Sequence, residues 1–304
     1  MKFTIYQDSR KGGRKSNQDR VGYSYSRDAL LLVVADGMGG HLHGEVAAQI
    51  TVELACDQFQ KRAKPVVPRP AQFLSDTLNM CHDAIFNYAS THRMVEVPRT
   101  TCVACLVQDG IAYWAHVGDS RLYLLRNEKI LAQTRDHSKV RRLVDEGVIT
   151  AEEARHHAEK NKVYTCLGGF YPPEIESGGK VALQDGDTLL LCTDGVWGEL
   201  TEPELIHFLS AFPALFALPQ LLDKAEMRGG HEGDNLSAIA VNWHEAEESG
   251  SRDRDFISTQ KLDIDTVIST HMSQLGTATP GEVTEDDIEQ AIAEIQAAIR
   301  KYSK

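Results

Sequence analysis

The order of apolar and polar positions predicts many short strands and a few helices. Residues 30–35 form a continuous apolar run that ends at Asp36-Gly37, which is typical of a buried strand leading into a tight turn. Residues 44–61 and 71–92 instead place apolar side chains three and four positions apart. This spacing predicts two amphipathic helices.

The strongest local signal is a hairpin. Its two strands, 103–108 and 111–117, flank Asp109-Gly110, a dipeptide that favours a type I′ turn. A second pair of strands, 122–125 and 130–133, continues the meander.

A charged segment over residues 137–162 interrupts the strands and has a helical pattern. Strands are predicted again over 180–183 and 188–192, followed by a helix over 202–210 and a last strand over 236–243. Because the strands recur as hairpins and the helices stand in separate blocks, the sequence predicts an α+β fold with antiparallel sheets.

The chain changes character after residue 244. Residues 245–255 read as a polar, charged linker, and helices are predicted over 263–275 and 284–302. The last helix has an apolar stripe formed by Ile288, Ala291, Ile292, Ile295, Ala298, Ile299 and Tyr302. We expect this stripe to be buried, either in cis against the rest of the chain or against a partner or a second copy.

The amino-acid composition argues against several classes of protein. The chain is 42% hydrophobic, and its net charge of −12 argues against binding to nucleic acid. No apolar run approaches the ~20 residues that span a bilayer, and the first residues lack a signal-peptide pattern. The six cysteines are too sparse for a disulfide scaffold. We therefore expect a cytoplasmic protein with no membrane contact.

One cysteine pair has the spacing of a metal or redox motif. Cys102 and Cys105 lie three positions apart on a predicted strand. Residues at this separation point to opposite faces of a strand, which argues against a shared zinc ion or a redox pair.

Five aspartates stand at or beside the ends of predicted strands. A single one would fit an ordinary turn, but five together predict a cluster of carboxylates. Hard divalent cations prefer oxygen ligands, so this set favours Mg²⁺ or Mn²⁺ over Zn²⁺. The five are Asp19, Asp36, Asp119, Asp194 and Asp234.

The motifs around these aspartates resemble those of the metal-dependent protein phosphatases, the type 2C serine/threonine phosphatases in their bacterial form. They occur in the family's order and cover roughly residues 1–244. The motifs are Arg14-x-x-Asn17-Gln18-Asp19, Val34-Ala35-Asp36-Gly37-Met38-Gly39-Gly40-His41, Gly44-Glu45-x-Ala47, Val117-Gly118-Asp119-Ser120-Arg121, Cys192-Thr193-Asp194-Gly195 and Gly233-Asp234-Asn235-Leu236-Ser237.

The resemblance implies a sandwich of two antiparallel β-sheets flanked by α-helices, in the layer order α-β-β-α. Residues 1–244 would be the catalytic domain, with 137–162 as a helical flap beside the active site. Residues 245–304 would be an acidic linker and a C-terminal amphipathic helix.

The resemblance also implies a centre of two Mg²⁺ or Mn²⁺ ions at one end of the sandwich. Asp36 would bridge the two ions, and the Gly37 carbonyl would bind the second. Asp194 and Asp234 would hold the first ion, and Asp19 would act on the second, mostly through water.

A third, weaker ion would lie between Asp119 and Asp194, and Arg14 would bind the substrate phosphate. The implied reaction is hydrolysis of phosphoserine and phosphothreonine in proteins by a hydroxide that bridges two metals, without a phosphoenzyme. Two ions lower the pKa of the bridging water, and a planar guanidinium binds two phosphoryl oxygens at once. The expected partners are phosphorylated protein substrates of a serine/threonine kinase. No nucleophilic cysteine is needed, so Cys192 is read as a core residue.

The sequence departs from the family pattern in two places. Met38 stands where many relatives have a histidine that protonates the leaving group, so the general acid is a metal-bound water, His41 or His43. Arg99 stands where a glycine is more usual, and we expect it to disturb the start of the following strand.

Two other functions stay open at this point. One is a catalytically silent, metal-binding pseudophosphatase with a regulatory role, which the intact set of aspartates argues against. The other is a metal-dependent nuclease or phosphodiesterase, which the acidic charge balance argues against.

Overall fold

The computed structural model describes residues 1–38, 43–244 and 268–272. The strands are β1 (Lys2–Arg10), β2 (Arg20–Tyr25), β3 (Ala29–Ala35), β4 (Gly37–Met38), β5 (Arg99–Thr100), β6 (Cys102–Gln108), β7 (Ile111–Val117), β8 (Arg121–Arg126), β9 (Lys129–Gln133), β10 (Glu176–Ala182), β11 (Thr188–Cys192), β12 (Leu236–His244) and β13 (Ile268–Met272). The helices are α1 (Gly44–Arg62), α2 (Pro70–Thr91), α3 (Lys139–Asp145), α4 (Ala151–Arg155), α5 (Asp194–Trp197), α6 (Glu202–Ala211) and α7 (Ala214–Gly229).

Two antiparallel sheets form the centre of the molecule. One has the strand order β1-β12-β11-β8-β9, and the other has the order β10-β7-β6-β3-β2-β13. The short strands β4 and β5 form a separate pair. Helices α1 and α2 pack on the second sheet, and α6 and α7 pack on the first. The predicted α-β-β-α sandwich is therefore confirmed.

The core has one layer between the sheets and one on the outer side of each sheet. Strand β3 shows why its sequence is apolar throughout. Its even-numbered residues from Leu30 to Val34 face the other sheet, whereas its odd-numbered residues from Leu31 to Ala35 face α1 and α2. Cys102 lies in the helix-facing layer and Cys105 lies between the sheets, as the strand geometry predicts. All six cysteines are free.

The two predicted meander turns are confirmed. Asp109 and Gly110 have φ values of 53° and 68°, and Asn127 and Glu128 have φ values of 50° and 58°. Positive φ at both central residues is the requirement of a type I′ turn.

Three elements of the body do not follow from the apolar pattern. Strands β1 and β2 carry mixed polar and apolar residues, with β1 mostly half-buried and half of β2 buried, so no clean alternation marks them. Helix α7 forms although two prolines lie in its sequence. Pro213 lies at the N-cap and Pro219 lies inside the helix, while the alanine- and leucine-rich face of α7 packs on the first sheet.

The helix predicted over 263–275 is wrong for residues 268–272, which form β13 and pair with the edge strand β2. Ile268 and Thr270 are β-branched and suit a strand, and β2 offers an edge whose backbone groups need partners. The linker predicted over 245–255 and the helix predicted over 284–302 lie outside the described residues.

The predicted flap folds as the short helices α3 and α4. Its ends meet at the base, where the Lys139 amide donates to the Lys162 carbonyl and the Tyr164 amide donates to the His137 carbonyl. The His137 amide donates to the Gly118 carbonyl, which joins the flap to the loop after β7. Among the described helices, none combines the length and apolarity needed to cross a bilayer.

Candidate metal centre

The five aspartates that the sequence singles out converge at one end of the sandwich. They lie just before β2, after β3, after β7, after β11 and just before β12. The Asp36 carboxyl group interacts electrostatically with the other four aspartates, which are Asp19, Asp119, Asp194 and Asp234. Separate strand ends thus bring all five carboxyl groups into one cluster.

Burial and mutual repulsion raise the pKa values of this cluster. Burial, followed by the charges of Asp194 and Asp234, raises the pKa of Asp19 to about 7. Burial and the charge of Asp234 raise the pKa of Asp194 to about 6. The pKa values of Asp36 and Asp119 are also raised, first by burial and then by neighbouring aspartates. Ionised, such a cluster is costly unless cations neutralise it.

One carboxylate oxygen of the cluster has no hydrogen-bond partner among the described residues. Asp194 Oδ1 is buried and makes no hydrogen bond. A buried oxygen of this kind is costly when it is left unpaired, and it is a ready ligand for a cation. Together with the all-oxygen donor set, it shows that these residues fit Mg²⁺ or Mn²⁺.

Asp19 is oriented by a hydroxyl that the sequence reading did not single out. Thr193 Oγ1 donates to Asp19 Oδ2 at 2.9 Å, and the Ser237 amide donates to Thr193 Oγ1 at 3.1 Å. All three residues are buried. The Thr-Asp-Gly sequence at the end of β11 is the only local signal of this role.

The backbone of Asp36 is held by two threonines. The Thr101 amide and the Thr100 hydroxyl both donate to the Asp36 carbonyl at 2.8 Å, and the Asp36 amide donates to Thr101 Oγ1 at 3.2 Å. Arg99 pairs with Met38 across β4 and β5. The disturbance expected from Arg99 is not found, because its side chain is exposed and the pairing is intact.

Two glycines allow the chain to cross itself after Asp36. A Cβ on Gly37 would lie 2.4 Å from the Gly44 carbonyl oxygen and 2.5 Å from the Gln18 carbonyl oxygen. Only glycine fits this crossing. The role of the Gly37 carbonyl as a metal ligand stays a prediction.

Arg14 lies at the edge of the cluster. Its Nε donates to Asp234 Oδ1 at 2.9 Å and its Nη2 donates to Asp234 Oδ2 at 2.6 Å. The pair with Asp234, together with the charges of Asp194 and Asp36, raises the pKa of Arg14. The side chain is 53% exposed, so its guanidinium is accessible to an incoming phosphate.

Asp119 is supported by a second group of residues that the sequence reading missed. Trp197 Nε1 donates to the Asp119 carbonyl at 2.9 Å. The Arg121 guanidinium lies 3.4 Å from the centroid of the Trp197 ring and forms a bidentate pair with Asp136. Arg121 belongs to the recognised Gly-Asp-Ser-Arg motif, whereas nothing local marks Trp197 as its partner.

Three residues considered in the sequence analysis remain, which are Cys192, His43 and His41. Cys192 is fully buried, and burial raises the pKa of its thiol to about 12, so it belongs to the core as expected. His43 adopts a φ of 86° at the N-cap of α1, with Nδ1 4.0 Å from Glu45 Oε1. His41 lies outside the described residues, and the identity of the general acid stays open.

A family model described as protein phosphatase 2C matches residues 7–229, which is well over half of the chain. The chain belongs to the protein phosphatase 2C family. The serine/threonine phosphatase Stp of Listeria innocua is 32% identical to this phosphatase over 231 residues, covering 75% of this chain and 90% of that protein.

Solved structures agree with this family membership. The serine/threonine phosphatase of S. agalactiae aligns with a TM-score of 0.72 at 27% identity, covering 79% of this chain and 99% of that chain. The catalytic domain of the phosphatase PstP, in complex with two manganese ions, aligns with a TM-score of 0.68 at 28% identity, covering 80% and 99% respectively. The resemblance, the fold class and the serine/threonine phosphatase function predicted from the sequence are confirmed, and the pseudophosphatase reading is not favoured.

Proposed function

We propose that this phosphatase depends on Mg²⁺ or Mn²⁺ and removes phosphate from phosphoserine and phosphothreonine in proteins. The convergence of five aspartates at one end of the sandwich, with Asp194 Oδ1 unpartnered, carries the proposal. The two manganese ions in the structure of the relative PstP support the metal requirement.

The ligand roles follow the family pattern. Asp36, Asp194 and Asp234 would hold the first ion, and Asp36, the Gly37 carbonyl and, through water, Asp19 would hold the second. When bound, the ions would supply a water nucleophile at neutral pH and draw negative charge from the phosphoryl oxygens. A weaker third ion would require Asp119 together with Asp194.

The side chains of this protein position the metals and the substrate. Thr193 and the threonines at positions 100 and 101 hold Asp19 and Asp36 in fixed orientations. The fork of Arg14, which spans both oxygens of the Asp234 carboxylate, can span two oxygens of a phosphate in the same way. Arg14 therefore binds the substrate phosphate at the edge of the metal centre.

We also propose the substrates, the extent of the catalytic domain and the location of the protein. The substrates would be phosphoproteins made by a serine/threonine kinase, and residues 1–244 would be the catalytic domain, with residues 268–272 adding an edge strand to its second sheet. The cytoplasmic location stays a prediction, which the six free cysteines support.

The test compares a phosphomonoester with a phosphodiester in Mn²⁺ and in EDTA, using the full chain. We expect hydrolysis of p-nitrophenyl phosphate and of a phosphothreonine peptide in Mn²⁺, its loss in EDTA, and no hydrolysis of bis(p-nitrophenyl) phosphate. Preferential hydrolysis of the diester would indicate a phosphodiesterase. A metal-bound protein that hydrolyses neither ester would be a pseudophosphatase.

A further inference from the structure

Two histidines and a glutamate form a cluster outside the aspartate centre, at the base of the flap. His116 on β7 lies opposite Glu176 on β10, and His137 stands two residues before α3. The two imidazole rings stack with their centroids 4.6 Å apart. One potential ligand atom from each of the three side chains lies within 4.8 Å of the other two. Three separate segments thus present nitrogen and oxygen ligands to one point.

His116 is held with a free lone pair. Its Nε2 lies 2.7 Å from the Arg135 carbonyl, which can only accept, so Nε2 carries the proton and Nδ1 is bare. Within the part of the chain that the structure describes, this Nδ1 is buried without a hydrogen-bond partner, on a residue that is 1% exposed. A buried, unpaired nitrogen is costly. Donation from the other ring nitrogen to a carbonyl is also how proteins orient histidines that bind metals.

His137 and Glu176 face each other without a close contact. The Gly118 amide donates to His137 Nδ1 at 3.2 Å, so the ring proton is on Nε2, which lies 3.4 Å from Glu176 Oε2. This distance is long for a hydrogen bond to a carboxylate. Burial and the neighbouring His116 lower the pKa of His137, which favours the neutral ring that metals bind. An ion at Nε2 would shift the single proton of the neutral ring to Nδ1, and His137 would then lose the hydrogen bond from the Gly118 amide.

The cluster is accessible to a cation. A cavity of about 650 Å³ is lined in part by His137 and Glu176, and the Glu176 side chain is 49% exposed. The three arginines that line the same cavity pair with two carboxylates, one of them shared, and Glu174 and Glu176 in the same lining offset the remaining positive charge. The pairs are Arg135–Asp145, Arg141–Asp145 and Arg142–Glu146.

We propose that His116, His137 and Glu176 form a zinc site that is separate from the aspartate centre. Two imidazoles and one carboxylate, with a position left for water, are a donor set suited to Zn²⁺. Mg²⁺ prefers oxygen ligands only and would not compete there. The ion joins β7 and β10 to the start of the flap, and thereby fixes the flap base next to the loop that carries Asp119.

The test is zinc binding by the full chain in saturating Mg²⁺, which keeps the aspartate centre occupied. We expect equilibrium dialysis to find one Zn²⁺ per chain. Glu176→Gln, an exposed and nearly isosteric change, should weaken binding at least about tenfold. The matched control is Glu174→Gln, a second carboxylate of the same cavity, which should leave binding unchanged. Zn²⁺ should also slow proteolysis within residues 139–162 in the wild type and in Glu174→Gln, but not in Glu176→Gln.

Two further variants separate this site from the aspartate centre. His116→Gln should abolish zinc binding. If the His116→Gln variant does not fold, Glu176→Gln still tests the proposal. Asp36→Asn should bind zinc as the wild type does. Zinc binding that survives Glu176→Gln, or that disappears in Asp36→Asn, would place the ion elsewhere and overturn the proposal. So would the absence of zinc binding above background.

Discussion

We propose that Arg14 links metal binding to substrate binding. Its guanidinium pairs with Asp234, an expected ligand of the first ion, and is half-exposed at the edge of the cluster. A charge-assisted bidentate pair gives about 1.5–3 kcal/mol per bond to a charged group, so the same fork can contribute strongly to phosphate affinity.

We expect Arg14→Ala to raise the KM for p-nitrophenyl phosphate by about 10–100-fold with a smaller change in kcat, because the arginine binds the phosphate in both the ground and the transition state. The KM of Arg14→Lys should lie between those of the wild type and Arg14→Ala, since lysine keeps the charge but lacks the planar guanidinium fork. Steady-state kinetics in saturating Mn²⁺ measure both constants. A fall in kcat at constant KM would show that Arg14 acts only on the transition state.

Thr193 allows a test of a residue that does not bind metal itself. Thr193→Val keeps the shape but removes the hydroxyl that donates to Asp19 Oδ2. We expect Mn²⁺ affinity to fall about tenfold, the lower end of what an orienting partner contributes, with kcat recovered at high Mn²⁺. Thr51→Val, a buried threonine in α1 whose hydroxyl donates to Ala47, is the matched control. Equal affinities in the two variants would remove Thr193 from the site.

The sequence reveals the aspartates of the cluster better than the residues that support them. Asp19, Asp36, Asp119, Asp194 and Asp234 are visible because each belongs to a short motif at a strand end. Thr193 and Trp197 act through hydrogen bonds to residues 174 and 78 positions away in the chain. Such contacts depend on how β11 lies beside β12 and how α5 follows it, which no local pattern encodes.

Helices and strands whose apolar residues recur at regular spacing, or form a continuous run, are predicted well. Elements without such a pattern are missed. Helices α1 and α2 begin and end within one residue of their predicted bounds: α2 buries one face, whereas α1 is buried on most sides between the second sheet and α2. Strands β1 and β2 are missed because they mix polar and apolar residues without clean alternation, and β1 is fixed by pairing with β12 at the other end of the domain. Strand β13 depends likewise on the edge of β2.

The turn between β8 and β9 offers a test of stability at the level of elements. Glu128 has a φ of 58°, a conformation that costs an ordinary residue roughly 1–2 kcal/mol and costs glycine little. Glu128→Gly creates the Asn-Gly pair that type I′ turns favour, so we expect it to raise the free energy of unfolding by about 0.5–1 kcal/mol in urea titrations. Glu128→Ala controls for the lost charge and should not stabilise. A destabilised glycine variant would contradict the assigned turn.

At the scale of the whole molecule, the aspartate cluster couples folding to pH and to metal. Without metal, the pKa values of Asp19 and Asp194 in the folded chain are about 7 and about 6, above the ordinary value of 3.8. The folded state therefore binds more protons than the unfolded state between these values. It follows that stability falls as pH rises from about 4 through about 7.

We expect the Tm in EDTA to be lower at pH 8 than at pH 5.5. We also expect Mn²⁺ to raise the Tm more at pH 8, where the carboxylates are ionised and no protons must be displaced. Thermal unfolding at the two pH values, each with Mn²⁺ and with EDTA, gives the four Tm values that are compared. A Mn²⁺ effect that is equal or larger at pH 5.5 would contradict the coupling.

The central claim is that the aspartate cluster is the metal centre at which this phosphatase hydrolyses phosphoproteins. The most direct measurement compares wild type and Asp36→Asn, in saturating Mn²⁺, for turnover of a phosphothreonine peptide and for thermal unfolding in EDTA. The variant keeps the size of the side chain but removes a charge from the cluster. We predict at least about a 100-fold loss of kcat, the scale of removing one preorganised charge-stabilising group, together with an unchanged or higher Tm in EDTA. Turnover near that of the wild type would contradict the claim.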